Sequence, residues 1–122
     1  MSGMPHITVD YSPSLSEAFD RHGFALAFHP AAAELIGSAV QNCKTRFRPI
    51  DEAVIGGGGA GEAMVHLELA ILPGRDADTK ARLGELALAR LCDHLKPATG
   101  LNVQVTVEVR DLASYHKRVL TS

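Results

Sequence analysis

Apolar and polar residues alternate over His6–Tyr11, with Ile7, Val9 and Tyr11 on one side and His6, Thr8 and Asp10 on the other. That period of two predicts a half-buried strand. Ser12-Pro13 ends it, and Ser14-Leu15-Ser16-Glu17 has the spacing of a capping box, which predicts a helix beginning there. Phe19, Phe24, Ala27, Phe28, Ala31, Leu35 and Ile36 carry its apolar side to Gly37, a C-terminal stop. Gly23 and Pro30 fall inside this helix and predict a kink or a break. A short second strand follows at residues 45–50, with Arg46 and Arg48 on one face and Thr45 and Phe47 on the other.

Residues 64–72 read as a third strand, with Val65, Leu67, Leu69 and Ile71 inward and His66 and Glu68 on the opposite face. Pro73-Gly74-Arg75 then turns the chain into the clearest helix, residues 76–95, which Asp76 or Asp78 can cap. Leu83, Leu86, Leu91 and Leu95, with Ala87, Ala89 and Cys92, form its apolar stripe. Lys96-Pro97 and Gly100 stop it, and residues 101–109 alternate as a last strand. Residues 111–122 form a polar tail containing Tyr115.

The order is strand–helix–strand, twice. Each such unit makes a parallel pair with a right-handed crossover. Two units predict an α/β fold: one four-stranded mixed sheet with both helices on one face. Pro5-His6 and Val65-His66 then open equivalent strands, placing His6 and His66 at matching positions. The open face carries Thr8, Asp10, His66, Glu68, Asn102, Gln104 and Thr106. Packing that face against copies of the same chain is the economical use of it. Residues 5–122 form one domain, preceded by residues 1–4 as an extension or a leftover scar.

Composition narrows the function. The 122 residues carry 14 acidic and 12 basic side chains, a net charge of −2 that disfavours nucleic-acid or membrane-surface partners. Aromatic residues make up only 5%, without Trp, too few for a base-stacking platform. Cys43 and Cys92 form no close motif, so a reducing compartment, the cytoplasm, is expected. Apolar runs stop well short of the roughly 18 residues of a membrane span, and no basic-then-apolar leader opens the chain. The six histidines lack metal-ligand spacing, so no metal or other cofactor is expected. Gly56-Gly57-Gly58-Gly59-Ala60-Gly61 matches a dinucleotide fingerprint literally, but a strand follows it where a helix is required. It reads as a loop.

Met4-Pro5 is the dipeptide with chemical promise. If the chain began at Met4 and that residue were removed, Pro5 would present a secondary amine, a base able to shuttle protons. Inside a chain the same nitrogen is an amide without useful basicity. Three residues, Met1-Ser2-Gly3, stand before the pair.

Pro5-His6-Ile7-x-Val9-x-Tyr11-Ser12, His29-Pro30, Arg46-x-Arg48, Val65-His66-Leu67-x-Leu69, Gly74-Arg75 and Val107-Glu108-x-x-Asp111-Leu112 occur in an order that resembles the tautomerase superfamily. The branch most similar is 5-carboxymethyl-2-hydroxymuconate isomerase. The resemblance implies a homotrimer acting on an unsaturated 2-hydroxy or 2-oxo dicarboxylate. It implies Pro5 as general base, with Arg46 and Arg75 as its catalytic partners; Arg48 and His6 are candidates for substrate binding. Arginine suits these roles because its planar fork holds carboxylates bidentately and stabilises charge developing on a dienolate oxygen. Arg48 shares a face with Arg46 and competes with it. Two departures stand out: the residues before Pro5, and a shortened, glycine-rich segment between Arg48 and His66. They keep open an inactive binding homologue and an enzyme of different reaction, such as a decarboxylase or dehalogenase.

Overall fold

The computed structural model describes residues 4–121, so the question raised by Met1-Ser2-Gly3 lies outside the described residues. Strand β1 (His6–Tyr11) and strand β2 (Lys44–Pro49) are joined through helix α1 (Arg21–Ile36). Strand β3 (Glu62–Ile71) and strand β4 (Asn102–Asp111) are joined through helix α2 (Ala77–Asp93). Each half is a parallel pair, and the halves meet through antiparallel β1 and β3, giving the order β2-β1-β3-β4. This is the four-stranded mixed sheet that the duplicated pattern predicts. Among the described residues, no helix is long and apolar enough to cross a membrane.

Period-two alternation sends Ile7, Val9, Val65, Leu67, Leu69 and Ile71 to one face, where all six are buried. Phe24 and Phe28 of α1 and Leu83, Ala87 and Leu91 of α2 close over them in a single core. Asp76 caps α2 as expected, its carboxylate accepting from the Thr79 N–H at 2.8 Å. Gly37 ends α1 in the left-handed conformation, at φ 69°.

Four expectations need correction. The Ser14–Glu17 capping box does not form; Pro13–Leu15 is a 3-10 turn and α1 begins only at Arg21. Tertiary pairing wins over the local cap. Leu15 and Phe19 are buried, and residues 18–20 bond to the end of α2 through Asp20 N–H to His94 carbonyl and Lys96 N–H to Ala18 carbonyl. Asp20 then caps the helix by accepting from the Gly23 N–H, and a Cβ at position 23 would collide with that carboxylate.

Pro30 does not break α1, which runs unbroken from Arg21 to Ile36. Pro30 removes the N–H partner of the Leu26 carbonyl, but both residues lie on the exposed side, while Phe24, Phe28, Ala32 and Ile36 anchor the other. Cys92 and Ala89 are exposed, so the apolar stripe of α2 is narrower than expected; Cys92 lies at the rim of an open groove that it lines with Leu95 and with Val103 and Val105 of the edge strand β4. Finally, His6 opens β1 but His66 is the fifth residue of β3, paired with Asp10, so the two histidines are not equivalent.

The glycine loop has a steric reason at its end. A Cβ on Gly61 would stand 2.7 Å from the Gly100 carbonyl oxygen, where the β3 and β4 strands begin to pair. Gly57 has nothing within 4 Å and no positive φ. Gly61→Ala should therefore cost about 1–3 kcal/mol in urea unfolding. Gly57→Ala should be neutral or stabilising by up to about 1 kcal/mol. Equal stability of the two variants would contradict this packing.

Candidate active site at the start of the first strand

Pro5 precedes β1 and is fully buried, its carbonyl accepting the Lys44 N–H at 3.2 Å. Its nitrogen is bonded to Met4, so in this chain it is an amide. Antiparallel pairing sets His6 beside Ala70, so the exit of β3, and with it Arg75, lies at the Pro5 end of the sheet. Parallel pairing sets His6 also beside Lys44, so the start of β2 and the end of α1 lie there too.

The two arginines of β2 have different company. Arg48 donates twice to Asp10, Nε to Oδ1 at 2.8 Å and Nη2 to Oδ2 at 3.2 Å. Arg46 faces only the neutral Thr8 hydroxyl, at 3.4 Å. Its charge is therefore uncompensated and reaches His6, one pairing step nearer Pro5. Arg75 is half-buried and donates from Nη2 to the Ile36 carbonyl at 2.5 Å. A cation beside the positive start of α2 is poorly placed for that helix; here it serves the negative end of α1 instead. Pro5, His6, Arg46 and Arg75 thus gather toward one end of the sheet, while Arg48 lies toward the other.

Three residues at this corner were not legible as site residues. Lys44 lies two positions before Arg46 on the same strand, a spacing that puts both on one face. Tyr115 and Lys117 come from the tail: the Tyr115 hydroxyl and His6 Nε2 are hydrogen-bonded at 2.9 Å, and Lys117 donates to Asn42 Oδ1 at 2.9 Å. Burial, then the charges of Lys44 and Arg46, hold the His6 pKa below its ordinary value, so its neutral form is favoured. Burial and then Lys117 likewise lower Lys44, against a smaller opposing effect of Cys43. Burial raises the Cys43 thiol, which keeps it protonated and poorly nucleophilic. An open groove of about 530 Å3 between α1 and α2, lined by Ala31, Glu34, Leu35, Arg82 and Leu86, contains none of these site residues.

The model of the 5-carboxymethyl-2-hydroxymuconate isomerase family matches residues 5–118. The chain belongs to that family. The match opens on Pro5 and takes in the tail through Arg118. Family membership supports an isomerase or tautomerase function. No protein of curated function matches the chain.

Among solved structures, a 5-carboxymethyl-2-hydroxymuconate isomerase from Deinococcus radiodurans R1 is similar at 22% identity and a TM-score of 0.77, covering 98% of this chain and 92% of that one. A 5-carboxymethyl-2-hydroxymuconate delta-isomerase is similar at 19% identity and a TM-score of 0.81, covering 97% and 89%. A fused 4-OT wild type symmetric trimer is similar at 20% identity and a TM-score of 0.65, covering 85% and 84%. At such identities these likenesses speak for the fold alone. They place this family member in the tautomerase fold.

His29 tests the electrostatics of the same half of the molecule. Its Nε2 is 2.7 Å from the Thr45 hydroxyl, and burial lowers its pKa from 6.5. A histidine that is harder to protonate when folded adds stability above its unfolded pKa and loses it as the pH falls. His6 acts in the same direction. The melting midpoint should be lower at about pH 5.5 than at about pH 7.5, and His29→Gln, which can still bond Thr45, should narrow that gap. An unchanged gap in the variant would contradict the assignment.

Proposed function

We propose that the chain, with residues 1–4 removed, shifts a proton on an unsaturated 2-hydroxy or 2-oxo dicarboxylate, using the prolyl amine of Pro5 as general base. The observation that carries this reading is the family match that opens on Pro5, at a corner of the sheet where cations gather.

A free terminal amine has a reference pKa of roughly 7.7–8.0. Burial and neighbouring cations both disfavour its protonated form and move it toward neutrality, where a base is most efficient. The amine takes a proton from one position of the dienol and returns it at carbon, so atoms and charge balance. Arg46 meets a substrate carboxylate. Arg75, held by the Ile36 carbonyl through one nitrogen, offers its remaining donors to the developing enolate oxygen. His6, neutral and held by Tyr115, forms a polar wall beside the substrate. Arg48 sits beside Asp10, five residues or ~17 Å along the strand from Pro5; in this reading it serves the site of a neighbouring copy.

We assign the molecule to a homotrimer closed through the open sheet face, in a reducing cytoplasm, with no nucleic acid or membrane as partner. The symmetric-trimer neighbour and the free thiols of Cys43 and Cys92 support that assignment. With Met4 in place, Pro5 keeps its amide, and the same corner is confined to binding carboxylates.

Isomerisation of 2-hydroxymuconate by the chain beginning at Pro5 can be followed by ultraviolet absorbance. Arg46→Ala and Arg75→Ala should each lower kcat/KM by about a hundredfold, the scale of losing one charge-stabilising donor. Arg75→Ala should also lower the melting midpoint, because the Ile36 carbonyl loses its partner. Arg48→Ala should cost less than Arg46→Ala. Equal losses at the two positions would overturn the assignment of Arg46.

A further inference from the structure

The tail after β4 returns to the beginning of the chain. The Leu112 N–H donates to the Ile71 carbonyl at 2.7 Å, extending the β3–β4 pairing by one step. Beyond it, Tyr115 meets His6 both through its hydroxyl and edge-on, with ring centroids 5.3 Å apart. Lys117 Nζ lies 2.9 Å from Asn42 Oδ1 and 3.8 Å from Met4 Sδ. The tail is thus tied to both sides of Pro5, and the space filled by the Met4 side chain is bordered by Lys117.

The charge around that space is lopsided. Among the described residues, no carboxylate oxygen lies within 4.0 Å of Lys44, Arg46 or Lys117. Lys44 is close enough to Lys117 to be affected by its charge. Lys44 and Arg46 act on His6 and Lys117 acts on Lys44; these three cations, in a chain of net charge −2, repel one another until an anion joins them. Arg46 is bound over Thr8 and Lys117 beside Met4, four residues or ~13 Å apart along the strand. A six-carbon diacid with its terminal hydrogen bonds spans a comparable length, so a single molecule can reach both cations across the Pro5 nitrogen.

We propose that the C-terminal tail completes the substrate site: Lys117 binds the carboxylate remote from Arg46, and Tyr115, through His6, holds the tail where it can do so. This rests on the reading of Pro5 as the first residue, because removing Met4 opens the space. Every strand and helix begins after Met4, so the shortened chain keeps the whole fold. Lys117 here is a specificity residue. It selects diacids over monoacids, and the tail is a part of the site contributed by sequence far from the strands that carry the rest.

The test compares 2-hydroxymuconate with its monoacid counterpart 2-hydroxypentadienoate, using the chain that begins at Pro5. Lys117→Gln can still donate to Asn42 but carries no charge, so it separates anchoring from ion pairing. The ratio of kcat/KM for diacid over monoacid should fall about tenfold or more in Lys117→Gln, mainly through KM. Lys117→Arg should retain the ratio, and Arg118→Met, which removes a neighbouring tail charge, should leave it unchanged. A retained ratio in Lys117→Gln, or an equal fall in Arg118→Met, would overturn the proposal. If the unsubstituted chain turns over neither compound, the base assignment fails, and calorimetric binding of adipate against hexanoate decides this inference separately. Adipate binding lost in Lys117→Gln and kept in Lys117→Arg supports it; absence of adipate binding to the unsubstituted chain, or binding indifferent to Lys117, overturns it.

Discussion

The antiparallel pairing of β1 with β3 is the contact on which everything else depends. Each strand–helix–strand half buries only part of its apolar surface alone. Joining them back to back makes one sheet wide enough for two helices to cover. The same pairing sets the exit of β3 beside the start of β1. Segments distant in sequence therefore meet at one end of the sheet: Pro5, the first residue of β2, the turn before α2 and the returning tail. A parallel join would have sent Arg75 to the opposite end.

Charge at that end follows from how the open face is paired. Asp10 neutralises Arg48, Glu68 takes Arg110 and Glu62 takes the Asn102 amide, so the open face holds its polar groups largely within itself. Arg46 falls opposite a threonine and Lys44 opposite a histidine held toward neutrality. One register step along β2 thus separates a cation paired with a carboxylate from one that faces a neutral hydroxyl.

The strands were legible because a period of two with one apolar face admits little else: β1 falls at His6–Tyr11 in the structure as in the pattern, and β3 keeps every inward residue. The Asp76 cap was legible for a local reason, since its partner is only three residues away. The start of α1 was not, because its capping box lost to pairing with residues 94–96, a contact that spacing cannot reveal. The same limit governs the site. Pro5 and Arg46 stand in a local motif, whereas Tyr115 meets His6 across 109 residues and Lys117 meets Asn42 across 75. Cys92 was misplaced for a geometric reason: a helical stripe gives no width until the sheet beneath it is known.

A proline nitrogen is a base only when nothing is acylated onto it, so the proposed chemistry hangs on one covalent bond. Intact mass of the untagged protein made in its native host measures that bond directly. The expected mass equals that of residues 5–122, with Pro5 as the free amino terminus. A mass corresponding to a chain that begins at Met1 or Ser2 would contradict it.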